Sequence, residues 1–224
     1  MLSYDYIPVN GHVVAKIRGR NFLVDMGIPN TIAHRPLLLD GQKLEVTKQS
    51  HGLKLDDFNR LVGIELDGVL GSHLSNDYVI SLLPDEKNLV LDKYQQDFPI
   101  NIEVENLCGM PYMHQSIGNK RIRGLVAVGT AISWIQPELA EGFERTGRHR
   151  ELFGYIGERE VDVCTLPVMV DKHSVSLNFG VMPPEVANWL KLANVDAVLG
   201  AELLEHYAIS VALEEGTLSM RTLH

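Results

Sequence analysis

Cysteine is scarce: Cys108 and Cys164 are the whole supply in 224 residues, they lie 56 apart, and neither belongs to a CxxC pair. That excludes a small disulfide-stapled scaffold and a cysteine-built zinc or redox site. Both sit in apolar company, so two buried free thiols are expected, with a disulfide as the alternative. No run of 18 apolar residues occurs, so no membrane-spanning helix is expected. The opening MLSYDYIPVNG lacks the basic and apolar regions of a secretory signal, which makes a reducing cytoplasm the default compartment. Basic residues are also short, with 20 Lys plus Arg against 29 Asp plus Glu and a net charge of -9. A nucleic-acid surface would need the opposite balance. The acid is spread evenly, about -5 over residues 1–112 and about -4 over 113–224, so neither half is a charged tail. No Gly-rich phosphate loop follows a strand, and the nine histidines are scattered without an HExxH spacing, so neither cofactor nor metal is expected. No Gly-x-Ser-x-Gly elbow exists, and the adjacent Ser72-His73 read as solvent-facing loop residues.

What is present reads as strands. An apolar fraction of 45% and a charged fraction of 22% are ordinary for a globular protein. Residues 3–24 alternate apolar and polar positions around Gly11 and Gly19, the pattern of hairpins. Residues 44–62 carry charges between single apolar positions, with Gly52 near the middle, and read either as an exposed hairpin or as a helical turn at DDFNRLV. Residues 79–91 are two strands joined by PDEK, 121–128 are a strand, and 161–170 pairs with 173–179 around Asp171. Pro137 and the acids after it place a helix from about Glu138. PPEVANWLKLA makes a second, with Val186, Trp189 and Leu190 on one face. Trp134 and Trp189 are read as core residues rather than groove residues.

The informative feature is an internal repeat. Residues 66–91 align without a gap over 195–220 and match at 10 of 26 positions, among them Asp67 with Asp196 and Val69-Leu70-Gly71 with Val198-Leu199-Gly200. Upstream, Leu23-Val24-Asp25-Met26-Gly27 lies over Leu125-Val126-Ala127-Val128-Gly129. Two matches in the same order, each closed by glycine, make duplication the better explanation. The expected halves are residues 1–108 and 109–224. The second is longer between its markers, 71 residues from glycine to glycine against 44.

This ordered pair of markers, found twice, resembles the aspartic proteases of the pepsin and retroviral type. Their lobes each carry an apolar strand ending in Asp-Thr/Ser-Gly, an exposed hairpin, and later two apolar residues before a glycine. The resemblance implies an all-β, bilobal acid-protease fold with two related barrel-like lobes and few short helices, for which a monomer suffices. Gly71 and Gly200 would then be structural, letting another segment pass against the backbone.

The resemblance also implies a defect. The family's two carboxylates share a proton, one activating water and the other supporting the substrate carbonyl. Asp25 is present here, but its partner position holds Ala127. The hydroxyl residues that follow each aspartate in the family are replaced by Met26 and Val128. Thr130 and Ser133, just after Gly129, are candidate cleft hydroxyls. Glu138 and Asp162 are candidate acids from the longer half, although no alignment places either at the centre. The expected function is therefore non-catalytic binding of peptide or protein in the inter-lobe cleft, by strand addition, without nucleic acid, membrane or cofactor. The alternative is an active aspartic endopeptidase using Asp25 with an unidentified second acid or through dimerisation. Asp25 itself is expected to accept backbone N–H bonds from Gly27 or Gly129 and to titrate low, with a desolvated, high-titrating carboxyl as the rival state.

Overall fold

The structure, a computed structural model, describes residues 1–223. Strands dominate, and seventeen of them join one continuous mixed sheet. The first three arise from local chemistry. Strand Leu2–Val9 turns into His12–Ile17 through Asn10-Gly11, and His12–Ile17 turns into Arg20–Val24 through Arg18-Gly19. All four turn residues have positive φ, between 49° and 81°. Two-residue turns of that hand match the twist of the strands they join. The register, Val9 opposite His12 and Ile17 opposite Arg20, follows from them.

Strand Arg20–Val24 then pairs in parallel with Gly68–Leu70, Leu23 opposite Val69 and Val24 opposite Leu70. Ile32–Ala33 flanks the other side of Gly68–Leu70 in antiparallel sense. Further along the chain, Lys120–Val126 pairs in parallel with Ala197–Leu199, Leu125 opposite Val198. Ser133–Ile135 flanks that strand in antiparallel sense. The polar fastenings are equally alike. Asp67 accepts the Asn21 N–H at 3.0 Å and Asp196 accepts the Arg123 N–H at 2.9 Å. Gly71 N–H donates to Thr31 Oγ1, and Gly200 N–H to Ser133 Oγ, both at 3.1 Å. At Gly71 a Cβ would fall 2.5 Å from the Asn30 carbonyl carbon, and at Gly200 2.3 Å from the Ile132 oxygen. Both sites hold glycine because backbone crosses there.

Six strands join the two regions in an antiparallel ladder: Leu2–Val9, Asn88–Asp92, Val79–Leu83, Tyr207–Ala212, Thr217–Thr222 and Ile100–Leu107. At its centre Ser81 lies opposite Ser210, with their hydroxyls 2.8 Å apart and buried. One apolar cluster runs beneath both regions and includes Val24, Met26, Leu70, Val126, Val128 and Leu199.

Several sequence expectations need correction. Cys164 is buried, but Cys108 is exposed at positive φ beside Gly109 in a hairpin turn, and both thiols are free. The stretch 44–62 is hairpin and helix in succession: Gln49–Ser50 pairs with Leu53–Lys54, and helix α1 spans Leu55–Val62. Its Asp57 accepts the Lys54 N–H at the helix start, and Gly63 in left-handed conformation ends it. The helix expected from Glu138 is only a single 3-10 turn, Pro137–Leu139. Gly142 at positive φ and the absence of an apolar stripe stop it from propagating. Helix α2 spans Pro184–Leu192. Ser72 is buried in a 3-10 turn rather than facing solvent, its N–H donating to the Ile28 carbonyl at 2.8 Å.

Candidate functional site

Asp25 stands at the end of the buried strand Arg20–Val24, its N–H donating to the Leu70 carbonyl at 3.0 Å. The corresponding N–H of Ala127 donates to Leu199 at 2.9 Å, so both loops spring from equivalent crossings. The loops meet closely. A Cβ on Gly27 would lie 2.7 Å from the Ala127 methyl, and one on Gly129 would lie 2.0 Å from the Asp25 carboxyl carbon. Glycine at 129 thus makes room for the carboxyl group. Between them Val128 adopts φ of 25°, which a β-branched residue reaches only under strain. His12, buried, donates from Nδ1 to the Gly129 carbonyl at 2.8 Å and so ties the first hairpin to the second loop.

Asp25 is 8% exposed, and its side chain accepts one hydrogen bond, from Gly27 N–H at 2.8 Å. Gly129 N–H points instead to the carbonyl of Ala127. The expectation of a low-titrating carboxylate is overturned. Burial pushes the Asp25 carboxyl up to about 7; the Gly27 N–H draws it down, and the charge of Glu151 adds to the rise. A single donor does not offset desolvation of the charged form.

Above Asp25 lies a cavity of about 400 Å³. Its floor includes Asp25, Gly27, Ala127 and Thr130, and one wall holds Leu125, Trp134 and Val198. Val186, Trp189 and Leu190 of α2 form another. Trp134 is buried and packs edge-on against Phe153 at 4.8 Å, while Trp189 is 58% exposed, so both tryptophans line the cavity rather than only filling core.

The roof comes from two hairpins. One is Gln49–Ser50 with Leu53–Lys54, and the other is Gly147–Phe153 with Gly157–Val170. Their tips touch. A Cβ on Gly154 would lie 2.7 Å from the His51 carbonyl, and the His51 ring sits 6.3 Å from Tyr155 and 5.9 Å from Trp189.

Glu151 hangs from this roof. It is 2% exposed, lines the cavity, and uses Oε1 to accept the Leu152 N–H at 2.9 Å. Its Oε2 has no hydrogen-bond donor, the nearest cation-forming group being His149 Nε2 at 3.6 Å. Sequence reasoning missed Glu151, because it lies in the longer stretch of the second half, where the repeat aligns nothing. The acids considered there lie elsewhere. Glu138 pairs with Lys191 at 2.6 Å on the surface, and Asp162 faces Arg148 at 3.7 Å. Thr130 reaches the cavity with its Oγ1 donating to Ile132, whereas Ser133 is fully buried and spent on Gly200. Met26 and Val128 are both core. Among the described residues no cluster of metal-ligating side chains occurs, and no helix is long and apolar enough to cross a membrane.

No family model matches this chain, and no curated protein matches it. Among solved structures it is similar to a retropepsin-like aspartic protease from Rickettsia conorii, at 19% identity and a TM-score of 0.39, the match covering 55% of this chain and 92% of that one. The likeness is weak and distant.

Proposed function

We propose that this chain is a tandem, aspartic-protease-like protein that has lost its second catalytic acid and holds a peptide or protein segment in the cavity above Asp25 without cleaving it. The two halves are related by duplication, and we move their boundary from residue 109 to about residue 100, because the pairings of strand Ile100–Leu107 repeat those of Leu2–Val9. Support for the duplication is the recurrence of parallel crossing, hydroxyl-to-glycine bond and aspartate fastening, together with the meeting of Ser81 and Ser210, which are equivalent in the repeat.

The observation that carries the non-catalytic reading is the Ala127 methyl against Gly27, where an aspartate would have to stand. A methyl neither shares a proton nor orients water. The cavity, its apolar walls and its roof of two hairpins remain, and these serve binding. Extended peptide would lie beneath the roof and pair with backbone groups.

The test is a diverse peptide library incubated with the protein from about pH 3 to pH 8. Retention of a subset without new cleavage products is expected. Reproducible cleavage abolished by Asp25→Asn would replace this reading with the second one, an active endopeptidase. That reading has one observation in its favour, the presence of Glu151 as another acid on the same cavity.

A further inference from the structure

The carboxylates around the cavity are short of donors. Asp25, Glu151 and Glu185 all line it, and no lysine or arginine does. Glu151 is almost wholly buried, yet its Oε2 lacks a donor, and Asp25 has only the Gly27 N–H. Buried carboxylates left without donors are costly, and filling this cavity with a neutral apolar group would seal them away from water still further. The walls, by contrast, suit an apolar stem. Trp134, Phe153, Tyr155 and Trp189 present ring surface, which also attracts a cation electrostatically.

We propose that the cavity is a pocket for a lysine side chain of the bound peptide, with its methylenes against the aromatic walls and its ammonium between Asp25 and Glu151. The proposal rests on the peptide-binding reading and names the side chain which that site selects. Lysine suits the site better than arginine because it is a compact point charge with three donors on a flexible stem, whereas guanidinium needs a planar fork of acceptors. The two carboxylates come from opposite sides, one from the floor and one from the roof. A single ammonium would give Glu151 Oε2 the donor it lacks and Asp25 a second one, and would join the roof to the floor.

Proton release is a second consequence. Asp25 holds its proton up to about neutrality because it is buried. The charged or titratable groups facing this space are Glu151 with His149 beside it, Glu185 on α2, and His51 and Tyr155 in the roof, while His12 lies behind Gly129. An arriving ammonium favours ionised Asp25, so binding at pH 6 should expel a proton that binding at pH 8.5 does not.

Calorimetric titration with two peptides decides the matter, acetyl-Val-Leu-Lys-Leu-Val-amide and the same sequence with norleucine for lysine. The lysine peptide is expected to bind at least about tenfold tighter, with the preference lost in Glu151→Gln. At pH 6 its apparent enthalpy should change with the ionisation enthalpy of the buffer. Equal binding of the two peptides, or tighter binding of norleucine, overturns the lysine pocket and leaves peptide binding standing. Failure of both peptides to bind overturns the pocket, and the library decides the fate of the wider reading. The comparison on the unaltered protein keeps the test valid even where Glu151→Gln folds poorly.

Discussion

Asp25 concentrates the tension in this molecule. A carboxyl group on a residue only 8% exposed, with one backbone donor, is easier to bury neutral than charged. Its folded-state titration near 7, against an ordinary value of 3.8, means that the folded chain binds a proton that the unfolded chain gives up over that range. Its contribution to stability is therefore fully present below about pH 4 and is lost as pH rises through about 7. The span corresponds to a loss on the order of 4 kcal/mol, an upper figure for a cavity that admits some water. Asp25→Asn keeps the Gly27 N–H acceptor and removes the titration. The variant should match the parent in urea unfolding at pH 4 and exceed it in stability at pH 8. A variant less stable than the parent only at pH 8 would show that the carboxylate is favoured in its charged form. Asp25 was legible as the centre from its strand-Asp-x-Gly setting, but the direction of its titration was not, because burial depends on how closely Gly129 and Ala127 approach.

Each crossing of loop and strand is a small fastening in which one hydroxyl serves one buried glycine N–H. Thr31 Oγ1 and Ser133 Oγ are both fully buried acceptors with similar geometry. Thr31→Val conserves shape and removes the acceptor, stranding the Gly71 N–H. Ser133→Ala does the same to Gly200. Each substitution should cost about 1–3 kcal/mol, measured as a shift of the urea midpoint at constant slope. No measurable loss would mean that water or a shifted backbone serves those N–H groups. The glycines Gly71 and Gly200 were marked by the repeat, whereas their hydroxyl partners were not. Ser133 reads equally well as a cleft donor until the antiparallel strand Ser133–Ile135 turns it inward.

The two halves are knit together by the ladder between Val79–Leu83 and Tyr207–Ala212 and by the apolar cluster beneath it. The molecule should therefore unfold in a single cooperative transition, with fluorescence and far-ultraviolet circular dichroism coinciding. A fragment of residues 1–108 would keep the strand Val79–Leu83 with one edge bare and lack the pairing of Ile100–Glu103 with Thr217–Met220. Such an edge invites aggregation, so the fragment should be unfolded or associated, as judged by amide chemical-shift dispersion and gel filtration. A well-dispersed monomeric spectrum would show that the ladder contributes little.

Strand alternation, the Asn-Gly and Arg-Gly turns, the repeated Val-Leu-Gly and the substitution of Ala127 opposite Asp25 are all written locally, in periods of two and in short motifs. They are legible in the chain alone. The cavity is different in kind. His51, Glu151 and Trp189 come from separate parts of the chain, and each sits in a stretch whose pattern says only strand, turn or helix. They share one space because parallel crossings aim two loops at each other and two hairpin tips close over them. Only long-range pairing brings Glu151 above Asp25, since burial and charge at that point depend on neighbours more than a hundred residues away in the chain.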